Sequence, residues 1–170
     1  ASRDYMMDYH HFAGTFMIHI SRLCTDLITW NTQEFGFVVL PDEFCTGSSM
    51  MPQKKNPDVL ELARGKTGQV IGHMIDLMIN LKGLPMTYNR DLQEDKRGLW
   101  ASLDTVEAVV RILSELLAKV EVDEAKALAV FGEGYSLATD IAEWLVMKGI
   151  PFREAHAIVG RLVGWCIDHK

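Results

Sequence analysis

The sequence predicts an all-α fold in which a bundle of long helices precedes a small helical C-terminal domain. Residues 4–30, 58–81 and about 97–119 carry apolar side chains at steps of mostly three or four residues. This spacing is typical of one face of an α-helix, and helices of such length suit a bundle. Strand-like alternation is essentially missing, because the extended-looking residues 34–40 are too few and too isolated for a sheet.

Beyond residue 120 the predicted elements become shorter, which places a domain boundary near Glu121. The residues VDEAKALAV predict a two-turn helix with Asp123 near its start, and the remainder predicts two helices joined by a turn. Gly149 ends the first of these and Pro151 starts the second, as glycine and proline commonly do. We therefore expect a helical-bundle domain over residues 1–120 and a small helical domain over residues 121–170.

The long helices are expected to need further partners. A single layer of three helices leaves apolar stripes uncovered, which favours oligomerisation or a missing segment. Three glycines weaken the second long helix, but we expect them to allow close helix approach: Gly65, Gly68 and Gly72.

Composition excludes several classes of function. A net charge of -6 argues against a general nucleic-acid binder, and no apolar run is long enough for a membrane span. The cysteines are odd in number and widely spaced, which favours unpaired thiols in a reducing compartment such as the cytoplasm: Cys24, Cys45 and Cys166. No His or Cys spacing predicts a metal site, and no cofactor is indicated. The chain opens without an initiator Met, so we expect it to begin inside a longer protein.

Residues 46–58, TGSSMMPQKKNPD, form a predicted loop without helical or strand periodicity. By local physics the loop is a helix entry, with Asn56 as N-cap, Pro57 in the first turn and Asp58 complementing the helix dipole. The same residues suit an anion site that closes over its ligand. Backbone N–H groups near Ser48 can face an anion, and Lys54 supplies a point charge. Local physics alone leaves both interpretations open.

The loop resembles a known signature. GSSMMPQKKNP fits the pattern G-S-S-x-x-P-x-K-x-N-P of the fumarase/aspartase lyase superfamily without a gap. The form QKKNPD, followed by LKGLPMTYNRDLQEDK, resembles the argininosuccinate lyase family, and ATDIAEWLVMKGIPFREAHAIVG is similar to its small C-terminal domain. The resemblance covers essentially the whole chain, but only the central-to-C-terminal part of the longer family sequence.

This resemblance implies a reversible elimination that converts argininosuccinate into arginine and fumarate, without a cofactor. It makes Ser48 the catalytic base, Lys54 the stabiliser of the aci-carboxylate intermediate and Asn56 a binder of a substrate carboxylate. The residues Lys82–Lys96 (segment 82–96) supply further substrate contacts by the same resemblance: Tyr88, Gln93 and Lys96. Arg3 resembles an arginine near the active site.

The resemblance also says what this chain is expected to lack. The family's general acid is a histidine of an earlier segment, and we expect the histidines here to be structural: His10, His11, His73 and His156. The family's active site draws on three subunits of a homotetramer, so the 170-residue chain alone is expected to be inactive. Two alternatives stay open: a sister lyase of adenylosuccinate or aspartate type, and a non-catalytic packing module of crystallin type.

Overall fold

Helices dominate the computed structural model, which describes residues 2–169 except for the side chains of residues 131–133. The all-α prediction is confirmed. The long helices are α1 (Asp4–Trp30), α2 (Asp58–Leu81) and α3 (Asp95–Leu117), and the shorter ones are α4 (Glu124–Glu133), α5 (Ala138–Met147) and α6 (Phe152–Asp168). Contacts divide the chain into two compact units, Ala1–Val122 and Asp123–Lys170. Whether each unit is an independent domain, as predicted with a boundary near Glu121, stays a prediction.

In the first unit α2 lies antiparallel to both of its neighbours. Leu77, near the end of α2, packs with Met6 of α1 and Leu99 of α3, which lie near the starts of their helices. Farther back along α2, the buried Thr67 hydroxyl donates to the Met17 carbonyl of α1 at 3.1 Å. The three helices therefore run up, down and up, with α2 contacting both others.

The core of this unit has two apolar clusters with polar side chains between them. The larger cluster joins all three helices to residues 38–44, with Met17, Leu60 and Leu116 fully buried. The smaller one is the group of Met6, Leu77 and Leu99. Between the two clusters, along the three helices, lies a layer of buried polar side chains. Several of them have buried atoms without a hydrogen-bond partner in the described structure: Tyr9, His10, His73 and Ser102.

In the described part of the chain, four two-residue strands form two short antiparallel ladders. They are β1 (Val38–Val39), β2 (Thr46–Gly47), β3 (Lys55–Asn56) and β4 (Glu121–Val122). β1 pairs with β4 and β2 pairs with β3. The sequence interpretation of residues 34–40 as an unpaired piece was therefore wrong, because its partner lies about eighty residues later in the chain, beyond the reach of local pattern rules.

The expected role of the α2 glycines is also wrong within this chain. A Cβ atom added at Gly65, Gly68 or Gly72 would meet nothing within 4 Å. The close approach is made instead by Gly98 of α3, where an added Cβ would lie 3.2 Å from the Cβ of His73. Helix faces cannot be assigned from glycine positions alone, because the contact depends on how the neighbouring helix lies.

In the second unit α5 packs against α6. Gly149 between them has φ +94°, a conformation that glycine adopts without strain. Pro151 then precedes the first residue of α6. The Asp123 side chain caps α4 by accepting a hydrogen bond from the Lys126 N–H at 2.9 Å. Glycine, proline and N-cap chemistry thus identified these helix ends from sequence.

Candidate functional site

Loop 46–58 is a hairpin at the start of α2. β2 and β3 pair through Thr46 with Asn56 and Gly47 with Lys55, so the ends of the loop lie side by side. The Thr46 hydroxyl also donates to the Asp58 carboxylate in the first turn of α2. The expectation that Asn56 caps α2 is wrong: Pro57 is the N-cap residue and has no side-chain capping bond, while Asn56 belongs to β3.

Ser48 lies just after β2 with its hydroxyl inside the turn. Its Oγ accepts hydrogen bonds from the backbone N–H groups of Met50 and Met51, each at 3.2 Å. The donors expected to form an anion-binding nest are thus directed at the serine oxygen itself. Two N–H donors stabilise negative charge on the oxygen they face, so this arrangement favours loss of the hydroxyl proton.

The two adjacent lysines of the loop differ in their surroundings. Lys55 forms an ion pair with Asp42, and this hydrogen bond raises the pKa of the Lys55 ammonium group. Lys54 is exposed, and no carboxylate pairs with it among the side chains that the structure describes. The loop therefore holds one cation that fixes the hairpin to residues 42–44 and one that is available to an anion.

An open cleft of about 610 Å³ separates this hairpin from the end of α1. Lys54 and Asn56 line it together, opposite Asn31 and Gln33, and Glu61 of α2 also contributes. Ser48 does not line this cleft. Lys55 lines the cleft as well, so it combines two cations and several amide groups with one carboxylate. The cations and amides can bind a substrate carboxylate through charge-assisted and neutral hydrogen bonds.

The other predicted substrate residues lie beyond the far end of α2. The chain there forms a short 3-10 helix, Arg90–Gln93, whose Asp91 carbonyl accepts a hydrogen bond from the Asn80 amide of α2 at 3.1 Å. The side chains concerned are all exposed: Tyr88, Gln93 and Lys96. Segment 82–96 is therefore fastened to α2 while its predicted substrate groups face outward.

Arg3 and Asp95 join this second group. Asp95 is 3% exposed and accepts hydrogen bonds from the Arg3 guanidinium and, at 2.9 Å, from the Lys96 ammonium group. Burial raises the pKa of Asp95, but the hydrogen bonds from Arg3 and Lys96 outweigh it, so its pKa is lowered overall. The Asp95 bond raises the pKa of Arg3, and Tyr88 lies near enough to contribute.

Within one chain the two groups of residues do not meet. Loop 46–58 precedes α2 and segment 82–96 follows it, so the 24 residues of this helix separate them. At 1.5 Å per residue the separation is about 35 Å, far more than one small dicarboxylate can span. A site that uses both groups therefore needs more than one chain.

The four histidines expected to be structural lie in different surroundings. His10 is completely buried, and burial, with a contribution from His73, lowers its pKa. His11 and His156 are exposed. Across the described residues, no group of three or more His, Cys, Asp or Glu side chains is arranged as a metal site requires, and no helix there is long and apolar enough to cross a membrane.

Sequence reasoning missed two acids that organise these groups. Asp95 looks like part of a solvated charge run in QEDK, yet it is buried between two cations. Asp42 pairs with Lys55 across thirteen residues. The sequence signal for Asp95 is weak, since only its place beside a predicted substrate-binding lysine distinguishes it.

Family models match the first and the last part of the chain. A model described as "Lyase" matches residues 1–72, and a model described as "Argininosuccinate lyase C-terminal" matches residues 135–170. The argininosuccinate lyase of Syntrophus aciditrophicus is 55% identical over 170 residues, covering 100% of this chain and 36% of that protein. That of Moorella thermoacetica is 50% identical over 167 residues, covering 98% and 36%. The chain thus spans roughly a third of the length of these relatives.

Solved structures agree in fold. An EDDS lyase in complex with formate matches with a TM-score of 0.82 and 26% identity, over 99% of this chain and 33% of that one. A class II fumarase from Schistosoma mansoni matches with a TM-score of 0.67 and 18% identity, over 94% and 36%. At that lower identity the likeness concerns the fold alone.

Proposed function

Because the chain belongs to the argininosuccinate lyase family, we propose that the whole protein catalyses the reversible elimination of argininosuccinate to arginine and fumarate. The observation that carries this proposal is the surroundings of Ser48, whose Oγ faces two backbone N–H donors at 3.2 Å. A serine is a weak base unless its alkoxide is stabilised, and such donors supply that stabilisation.

In this proposal Ser48 removes the proton from the carbon next to a substrate carboxylate. The carboxylate then takes up the electron pair as an aci-carboxylate, which carries additional negative charge. Lys54 is exposed and lines the cleft with Asn56. We assign Lys54 to the developing charge and Asn56 to the carboxylate oxygens, since fixed charge is most effective where it meets charge that develops in the transition state.

Tyr88, Gln93 and Lys96 bind the remainder of the substrate in this proposal. A phenol, an amide and an ammonium group can hold the polar groups of the arginine part. Because about 35 Å separates them from Ser48 along α2, the proposal requires an oligomer, a homotetramer by family resemblance, in which one subunit's loop meets another's segment 82–96. The three unpaired thiols support a cytoplasmic location.

The test of the base compares two adjacent serines in the whole protein. Ser48→Ala removes the hydroxyl that faces the N–H donors, and turnover of argininosuccinate should fall by roughly 10²–10⁴-fold, the usual contribution of a general base. Ser49→Ala is the matched control, because it removes a neighbouring hydroxyl and keeps the backbone, and it should retain most activity. Near-normal turnover by Ser48→Ala would refute the assignment.

The adjacent lysines give an independent comparison. Lys54→Gln removes the unpaired cation and should lower kcat by about 10²-fold or more, as loss of a transition-state donor does. Lys55→Gln removes the cation paired with Asp42 and should cost much less. Equal losses in both variants would mean that the loop needs charge only to fold.

The substrate is tested directly by supplying argininosuccinate, adenylosuccinate and aspartate to the whole protein and following fumarate by its ultraviolet absorbance. Release from argininosuccinate alone is expected. Release from either of the others would favour a sister lyase, and release from none would favour a packing module without catalysis.

A further inference from the structure

Three charged side chains form a connected group at the start of α3. The Asp95 side chain is fully buried, and its two oxygens accept from different cations: Oδ1 from Lys96 at 2.9 Å and Oδ2 from Arg3. The Arg3 side chain is only 16% exposed, whereas Lys96 is 54% exposed. The group therefore has a buried end, formed by Arg3 and Asp95, and an open end formed by Lys96.

The charges of this group sum to +1 because two cations share one carboxylate. Without Arg3, Lys96 and Asp95 would be a neutral pair, and an approaching anion would meet little net attraction. Arg3 therefore determines whether Lys96 presents positive charge to solvent, although about ninety residues separate it from Asp95 in sequence.

Asp95 also restricts where the Lys96 ammonium group lies. A lysine side chain has several flexible bonds, and the loss of its rotamer entropy opposes holding it in one place. The bond to Asp95 uses one of the three ammonium donors, which leaves two for a ligand. A pre-positioned lysine binds an anion with a smaller entropic cost than a mobile one.

We propose that Arg3 and Asp95 are positioning residues for Lys96: Asp95 holds the ammonium group in place, and Arg3 offsets the Asp95 charge so that the group still attracts the substrate carboxylate. Neither residue touches the substrate in this arrangement. The proposal rests on the proposed function, since it takes Lys96 to bind argininosuccinate.

The test uses a charge-compensated pair of variants in the whole protein. Arg3→Gln lowers the net charge of the group from +1 to zero. KM for argininosuccinate should therefore rise about tenfold, the effect expected when one unit charge near the bound carboxylate is removed. The double variant Arg3→Gln/Asp95→Asn returns the charge to +1, and the amide oxygen that it introduces can still accept from Lys96. Its KM should lie within about threefold of wild type, because the positive charge is restored. If the two substitutions acted additively, KM would stay raised instead.

A direct contact between Arg3 and the substrate predicts a different result, namely that KM stays raised in the double variant. That outcome, or an unchanged KM in Arg3→Gln, would overturn the proposal. The double variant buries no unpaired charge, so it decides the question even if Arg3→Gln folds poorly. In a Lys96→Ala background Arg3→Gln should change KM by less than about twofold, and a full tenfold effect there would also overturn it.

Two controls separate this proposal from the proposed function. Glu94→Gln removes an exposed acid that is adjacent to Asp95 in sequence, and KM should not change. Glu94 itself lies 3.9 Å from the Arg97 guanidinium. The wild-type protein is assayed first: if it releases no fumarate from argininosuccinate, the proposed function fails and this proposal falls with it. If wild type is active and the double variant is not restored, the positioning proposal alone fails.

Discussion

At Gly98 α3 packs closely against α2, and Gly98→Ala tests that packing. An added Cβ would lie 3.2 Å from His73 Cβ and Nδ1 and 3.3 Å from Cγ. Carbon atoms pack best at about 3.5–4.0 Å, so His73 must move by a few tenths of an ångström. These atoms are close to the α2 backbone rather than at the end of a flexible side chain, so the move displaces the helix or strains the rotamer.

Two opposing effects determine the change in the free energy of unfolding. Crowding of a packed interface costs about 1–3 kcal/mol. Replacing glycine by alanine inside a helix contributes about 1 kcal/mol of stability. Gly98→Ala should therefore destabilise the first unit by about 0–2 kcal/mol.

Gly68→Ala in α2 is the matched control, because an added Cβ there meets nothing within 4 Å. It should stabilise by about 1 kcal/mol, so the two variants should differ by about 1–3 kcal/mol. The assay is urea unfolding of the 170-residue chain followed by circular dichroism, with sedimentation confirming one association state for all three proteins. Equal stabilisation by both substitutions would refute the close packing of Gly98 against His73.

Two further predictions concern the buried polar groups of the same helices. His10 is fully buried with a lowered pKa, so the unfolded chain, with its His pKa near 6.5, binds the proton more readily. The contribution of neutral His10 to the free energy of unfolding is complete above the unfolded-state pKa. It is lost as the pH falls toward the folded-state pKa, by at most about 1.4 kcal/mol per pH unit. His10→Gln should reduce this acid dependence in urea unfolding, and an unchanged pH profile would contradict it. Thr67→Val removes the buried bond to the Met17 carbonyl and leaves that carbonyl without its side-chain donor; a loss of about 1 kcal/mol is expected in the same assay, against no loss for exposed Thr25→Val.

Much of the fold could be predicted from local sequence patterns. The long helices match their apolar periodicity, with α1 and α2 starting and ending at the expected residues. Asp123, Gly149 and Pro151 mark helix ends for reasons of capping and backbone conformation alone. Such features depend on neighbours in sequence, which a pattern contains.

Contacts between distant segments are not readable in this way. The pairing of β1 with β4, the approach of Gly98 to His73 and the burial of Asp95 all join residues far apart in the chain. In each case the residue type alone favours a different interpretation: an unpaired extended piece, a helix-weakening glycine and a solvated acid.

For the candidate site too, some features follow from local sequence and others depend on distant segments. Sequence by itself determined the residue types, because Ser48, Lys54 and Asn56 lie in one contiguous pattern whose match needs no structure. Only the tertiary structure decided that Lys55 pairs with Asp42 and that Asp95 is buried with Arg3 and Lys96 as its partners. The physical reason is that hydrogen-bond partners, burial and distance depend on where other segments lie, and a local pattern contains no information about that.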